Sequence, residues 1–340
     1  MILIDSLYIN KSGGFRLLEY LVDRLNAESI DFYLLADSRC YSKFDSCKNV
    51  RYMKASLWAR KKFYLENGKR FSAVLCFGNI PAPLKLDVPV YTYFHHINLL
   101  TLSETEGILS RVLSWLKREV YRYYKNNTNY WLVQTSNTAN ELVRHLGETP
   151  ERVKIMPFFE LPEKLYALKN ETHGDDYVYI SIYVPGKGHD ELLEAWKILH
   201  HRGIDKKLHL TVPFDCHSFV DKIKEAQENG VNVVNHGLIP FEQVIDLYRQ
   251  SKAIVYPSHN ESLGLGIVEA LEAGCDVIAP DLPYIHSICK PSRVFNPTSA
   301  ISIAEAIISY EKGQDPKSVL IIRSMVSELL DMLDGKIDKC

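Results

Sequence analysis

A chain of 340 residues with 46% hydrophobic and 24% charged side chains has an ordinary globular composition and is long enough for two cores, since single cores stop growing at roughly 250–300 residues. Its formal net charge of −2 argues against a general nucleic-acid binder, whose binding domain would be strongly basic. The seven cysteines (Cys40, Cys47, Cys76, Cys216, Cys275, Cys289 and Cys340) are odd in number, scattered and without CxxC spacing, so reduced thiols of a cytoplasmic protein are expected, not a disulfide framework or a zinc site.

Met1 to Ile9 reads as a short buried strand with neither the basic start nor the apolar length of a signal peptide. The polar turn Asn10-Lys11-Ser12-Gly13-Gly14 follows, then a helix whose apolar residues Phe15, Leu18, Leu21, Val22 and Leu25 share one face. Strand, glycine turn and helix make the opening of a βαβ unit. Further strands are expected at Asp31 to Ala36, Ala73 to Phe77, Val88 to Phe94 and Tyr130 to Gln134. The alternation breaks at PFFELPEKLYALKNETHG, where a domain boundary is expected, giving domains 1–163 and 174–340. It resumes with strand Asp176 to Tyr183, helix His189 to His201, strand Leu208 to Val212, helix Phe219 to Asn229, strand Val231 to Asn235, helix Phe241 to Gln250 and strand Ala253 to Tyr256. A strand at Asp276 to Ala279 and helices at Ser302 to Glu311 and Pro316 to Leu333 complete the chain. No run of about 18 apolar residues suggests a membrane span, and no repeat of solenoid period is visible. The expected fold is therefore α/β, with two successive parallel-sheet domains and ligands at the carboxyl ends of their strands.

Chemistry concentrates in PSHNESLGLGIVEALEAGCDVIAP, where a strand ends in a loop with Gly264 and Gly266 and leads into a helix from Ile267. Glu261 lies in that loop. Glu269 lies in an early helical turn, roughly 160–200° around the helix from Ile267 and Leu271, and so is expected to escape burial by the sheet. By pattern alone both read as solvated carboxylates. Their position beside a helix N-terminus, however, suits hydrogen bonds to the hydroxyls of an anionic ligand. Lys187, between glycines in PGKGHDELLEAW, reads by pattern alone as a solvated turn residue.

The segment resembles the E-x7-E signature of retaining GT-B glycosyltransferases of family 4. The early SGG turn, TYFHHIN, VQTSNTANEL, KGHDELLEAW and NHGLIPFEQVIDLYRQSKAIVYPS follow in the expected order. The resemblance implies two Rossmann-like domains facing each other across a cleft. It implies that Glu269 holds the ribose hydroxyls of a UDP- or GDP-linked sugar and Glu261 the hydroxyls of the donor sugar. Main-chain N–H groups of Ser262, Leu263, Gly264 and Leu265, and of Gly13 and Gly14, would approach the sugar and diphosphate, since glycine lacks the Cβ that would block them. Gly237, Leu238 and Ile239 would line the base pocket. His95 would reach the acceptor side of the sugar, with His96 its competitor, and His96 and Asn98 would face the acceptor. Lys187 would neutralise the leaving diphosphate, but the arginine that the family usually carries about five residues earlier is Ile182 here.

No D-x-D triplet or metal-spaced cluster occurs, so a metal-independent enzyme without cofactor is expected; the resemblance implies a hexosyltransferase acting on a surface-polysaccharide glycan such as an O-antigen or capsule unit. The stretches WARKKFYLENGKRF and ILSRVLSWLKREVYRYYKNN are basic and aromatic, which suits either partly buried helices with a solvated basic face or contact with an anionic inner-membrane surface and a lipid-linked acceptor. Competing readings are a GT-B epimerase or phosphorylase and a sugar-nucleotide-binding partner subunit that has lost catalysis. A dehydrogenase would want G-x-G-x-x-G after the first strand, and Asn10 to Arg16 does not supply it.

Overall fold

The computed structural model describes residues 1–97, 100, 108–169 and 171–336, in two compact units: Met1–Glu160 with Arg323–Cys340, and Leu161–Ile322. In the first unit, strands β1 (Ile2–Asp5), β2 (Phe32–Asp37), β3 (Val50–Met53), β4 (Ala73–Cys76), β5 (Val90–Phe94), β6 (Tyr130–Val133) and β7 (Val153–Ile155) form one parallel sheet. Their order is β3-β2-β1-β4-β5-β6-β7, so the direction of winding reverses between β1 and β4. Side chains alternate along β1. Ile2 and Ile4 enter the core beneath helix Ser12–Ala27, with Leu18, Leu21 and Leu25. Leu3 packs on the other face with Phe63, Tyr64 and Phe71. A strand covered on both sides needs the continuous apolar run that the sequence shows.

The second unit repeats the plan. Strands β8 (Asp176–Tyr179), β9 (Leu208–Leu210), β10 (Val233–Asn235), β11 (Ser251–Val255) and β12 (Asp276–Pro280) precede the short β13 (Cys289–Lys290), then β14 (Arg293–Phe295) and β15 (Val319–Leu320). The parallel order is β10-β9-β8-β11-β12-β14, reversing between β8 and β11, while β13 and β15 form a small antiparallel pair.

One expectation changes. The helix expected over Pro316 to Leu333 is instead β15 followed by a helix at Val326–Leu333, and that helix belongs to the first unit, not the second. Its buried Val326, Leu329, Leu330 and Leu333, at helical spacing, close the core under helix Ser12–Ala27. Two hydrogen bonds within that unit anchor its approach, Met325 N–H to the Pro157 carbonyl at 2.7 Å and Phe159 N–H to Ser324 Oγ at 3.2 Å. The stretch WARKKFYLENGKRF forms a helix at Leu57–Asn67 that is partly buried, through Arg60, Phe63 and Tyr64.

Arg60 reaches Asp5 at the end of β1, where the two are 2% and 1% exposed, with Arg60 Nε donating to Asp5 Oδ2 at 2.7 Å. The guanidinium also donates to the carbonyls of Pro81 (2.8 Å) and Ile80 (2.9 Å), and the Tyr64 hydroxyl donates to the same Asp5 oxygen at 2.7 Å. Burial opposes the charge on Arg60, but the Asp5 carboxylate more than offsets it and raises the pKa above the ordinary value. Removing one member leaves the other charged and buried. Arg60→Met or Asp5→Asn is expected to lose about 3–5 kcal/mol in urea unfolding, with the double variant nearer to wild type than either single one.

Candidate functional site

In the second unit the crossover helices after β8 and β11, His189–His201 and Leu265–Glu272, run toward β9 and β12 on opposite sides of the reversal. Right-handed crossovers place such helices on opposite faces, opening a crevice at the carboxyl ends of the two strands. The loops that leave these strands carry the residues singled out in the sequence. Gly188 has φ +70°, and a Cβ there would lie 2.4 Å from the Pro257 carbonyl oxygen, so only glycine allows this approach. Beside it the His259 N–H donates to the Gly186 carbonyl at 2.8 Å. The two loops are thus fastened backbone to backbone.

Between these contacts Lys187 Nζ meets Glu261 Oε1 in an ion pair whose side chains are 25% and 14% exposed. The same carboxylate oxygen accepts the Tyr256 hydroxyl at 2.9 Å, while the Tyr179 hydroxyl donates to the Lys187 carbonyl at 2.8 Å. Tyr284 donates to the Ser258 carbonyl. Ser262, Leu263, Gly264 and Leu265 follow Glu261 into the helix, whose N-cap is Gly264; Leu263 is buried, so only its main chain is placed to meet a ligand. Ile182 is half-exposed.

Glu269 corrects the expectation of exposure. It is 5% exposed, because the helix is covered on both sides and Ile267, Val268, Ala270 and Leu271 are buried with it. Tyr248, on helix Phe241–Gln250, donates its hydroxyl to Glu269 Oε2 at 3.2 Å. Gly237 and Ile239 follow β10 at the sheet edge, with the exposed ring of Phe214 against Gly237.

In the first unit Gly13 and Gly14 lie in the first turn of helix Ser12–Ala27, not in a turn ahead of it. A Cβ on Gly14 would stand 2.9 Å from His95 Nε2, so the glycine admits the imidazole that follows β5. Asn79 accepts the His95 N–H on Oδ1 at 2.8 Å and turns its amide nitrogen to His95 Nε2 at 3.4 Å. An amide nitrogen only donates, which assigns the imidazole proton to Nδ1. Burial, with the neighbouring His96 adding to it, pushes the His95 pKa down to about 3 and keeps the ring neutral. His96 is exposed, and Asn98 lies outside the described residues. Among the described residues no three His, Cys, Asp or Glu side chains are grouped to hold a metal ion.

The tyrosines were missed. Tyr179, Tyr248, Tyr256 and Tyr284 are all buried, and only the partners of their hydroxyls mark them as part of the site.

His189, next to Gly188, is buried among Tyr179, Tyr183 and Phe219. Burial lowers its pKa to about 4, against the Ser181 carbonyl 3.3 Å from Nε2. The unfolded chain takes up this proton near its ordinary value of 6.5, whereas the folded chain resists until about 4. Stability is therefore complete above pH 6.5 and falls between there and 4, by on the order of 2–3 kcal/mol for this group. Unfolding measured at pH 7 and 4.5 should show a smaller loss for His189→Phe than for wild type.

The model of the family "Glycosyl transferases group 1" matches residues 167–324. The serotype-specific mannosyltransferase WbdA of Escherichia coli is 25% identical over 149 residues, covering 42% of this chain and 18% of that protein. The O-antigen chain mannosyltransferase RfbU of Salmonella typhimurium is 31% identical over 78 residues, 23% of this chain and 22% of that protein. The chain thus spans about a fifth of the length of either relative. The structure of Anabaena Alr3699/HepE in complex with UDP is similar with a TM-score of 0.67 at 15% identity, over 92% of this chain and 90% of that one. With strand order reversing in both parallel sheets and a similar fold over 92% of the chain, the protein has the GT-B fold, and its residues 167–324 match the glycosyl transferases group 1 family.

Proposed function

We propose that the protein is a retaining family-4 glycosyltransferase, binding a UDP- or GDP-linked hexose in its second unit and transferring the sugar to a glycan acceptor in surface-polysaccharide assembly. The observation that carries this is the meeting of Lys187 with Glu261 at the strand-order reversal, eight residues ahead of the buried Glu269. Glu261 would hold sugar hydroxyls and Glu269 the ribose hydroxyls. Lys187 and the main-chain N–H groups at the start of helix Leu265–Glu272 would face the diphosphate. In the reaction the bond from the anomeric carbon to the phosphate oxygen breaks, and a bond from that carbon to an acceptor hydroxyl oxygen forms on the same face. The acceptor proton passes to the leaving phosphate. A cation fixed at that phosphate stabilises the charge that develops there, so no metal is needed. The mannosyltransferase relatives and the UDP complex of a similar fold support a hexosyl nucleotide donor.

Acceptor recognition is assigned to the first unit, with neutral His95 and with His96 and Asn98. No described helix is long and apolar enough to cross a membrane. Trp58, Lys61, Lys62 and Leu65 share one exposed face of helix Leu57–Asn67, which supports a peripheral position on the cytoplasmic face of the inner membrane and a lipid-linked acceptor. Flotation with vesicles containing anionic lipid should carry wild type upward, and Trp58→Ala with Lys61→Glu should abolish this.

The enzymatic reading is tested with labelled UDP- and GDP-hexoses and lipid-linked glycans in the presence of EDTA. Transfer should persist in wild type and fall by about 100-fold or more in Lys187→Ala and Glu261→Ala. The empty arginine position at Ile182 favours one other reading, a donor-binding subunit without catalysis. Wild type that binds nucleotide yet neither transfers nor hydrolyses across the panel would establish that reading instead.

A further inference from the structure

The partners of Glu261 are unequal in one respect. Lys187 reaches it on a flexible four-carbon stem and is one-quarter exposed, whereas Tyr256 is 4% exposed and held on every side. The Tyr256 N–H donates to the Ile278 carbonyl at 2.9 Å, and its ring packs edge-on against Tyr179 with centroids 5.3 Å apart. Gly266 also lies close to the ring, where a Cβ would stand 3.5 Å from Tyr256 Cε2. Burial, and after it the charge of Glu261, raises the Tyr256 pKa well above its ordinary value, so the hydroxyl stays protonated and can only donate to the carboxylate.

An anionic ligand competes with Glu261 for Lys187. As the ammonium turns to a diphosphate, Glu261 loses an ion-pair partner just when it must receive sugar hydroxyls, and nothing about the lysine then holds the carboxylate in place. The bond from Tyr256 OH to Glu261 Oε1 does not depend on Lys187. Resting on the donor reading above, we infer that Tyr256 is a positioning residue that keeps Glu261 aimed at the donor sugar once the diphosphate has drawn Lys187 away. Tyr179 and Tyr284 serve the main chain of the same two loops, at the Lys187 and Ser258 carbonyls, and leave the orientation of the carboxylate to Tyr256 alone among these three.

The test removes one hydroxyl and keeps the ring. Calorimetry would measure UDP, GDP, UDP-glucose and GDP-mannose against wild type, Tyr256→Phe, Glu261→Gln and the double variant, after thermal melting has checked that each is folded. Tyr256→Phe should bind the free nucleoside diphosphate within about twofold of wild type but the matching nucleotide sugar about tenfold more weakly, as expected for one hydrogen bond to a charged group. Glu261→Gln should weaken the nucleotide sugar as well, and adding Tyr256→Phe to it should bring little further loss, because the tyrosine acts through the glutamate. Equal losses for nucleoside diphosphate and nucleotide sugar, no loss for either, or losses that simply add in the double variant would overturn the inference. Wild type that binds no member of the panel would instead overturn the donor site itself, a result distinguishable from all three.

Discussion

A contact between Gly188 and the carbonyl oxygen of Pro257 governs the chemistry of the second unit. The loops after β8 and β11 leave neighbouring strands and then diverge toward opposite edges of the sheet, so any side chains that are to work together must meet before the loops part. Gly188 lets one backbone press on the other, and the bond from His259 N–H to the Gly186 carbonyl fixes their register. Lys187 lies between those fastenings and can therefore reach only a short stretch of the facing loop, where Glu261 stands. The ion pair is a consequence of backbone packing as much as of charge.

The first unit has the same reversal of strand order and also places an ion pair near it, with a different outcome. Asp5 and Arg60 are almost wholly buried and bonded on several sides, so the pair has no capacity left for a ligand and acts as a strut between the end of β1 and helix Leu57–Asn67. Lys187 and Glu261 remain partly open to solvent and can exchange partners. The two ion pairs thus divide into a structural one and an exchangeable one according to how far each is desolvated.

Much of this architecture was legible because parallel strands covered on both faces announce themselves as apolar runs. Helices His189–His201 and Phe241–Gln250 begin and end where periodicity and flanking residues put them. Strands β3, β7 and β14 were missed because each is short and largely half-exposed, so it lacks such a run. Glu261 and Lys187 could be chosen from the loop composition, and the resemblance gave them partners in a ligand. Glu269 was placed on a solvated face because a helical wheel knows one neighbouring surface, whereas Tyr248 arrives from another helix to cover the second. The buried tyrosines were invisible as site residues for a similar reason. Their rings satisfy the hydrophobic pattern, and the direction of a hydroxyl is decided by tertiary packing alone.

Helix Val326–Leu333 completes a core whose first strand is Ile2–Asp5, so the first unit is discontinuous along the chain. A ribosome delivers that unit's seven strands long before it delivers the helix that seals them. During synthesis the intervening second unit is complete first, while Leu18, Leu21 and Leu25 await their cover from Leu329, Leu330 and Leu333. The nascent chain therefore carries an unsealed apolar surface while the roughly 170 residues between β7 and that helix are made, and of the two units the one begun first is completed last.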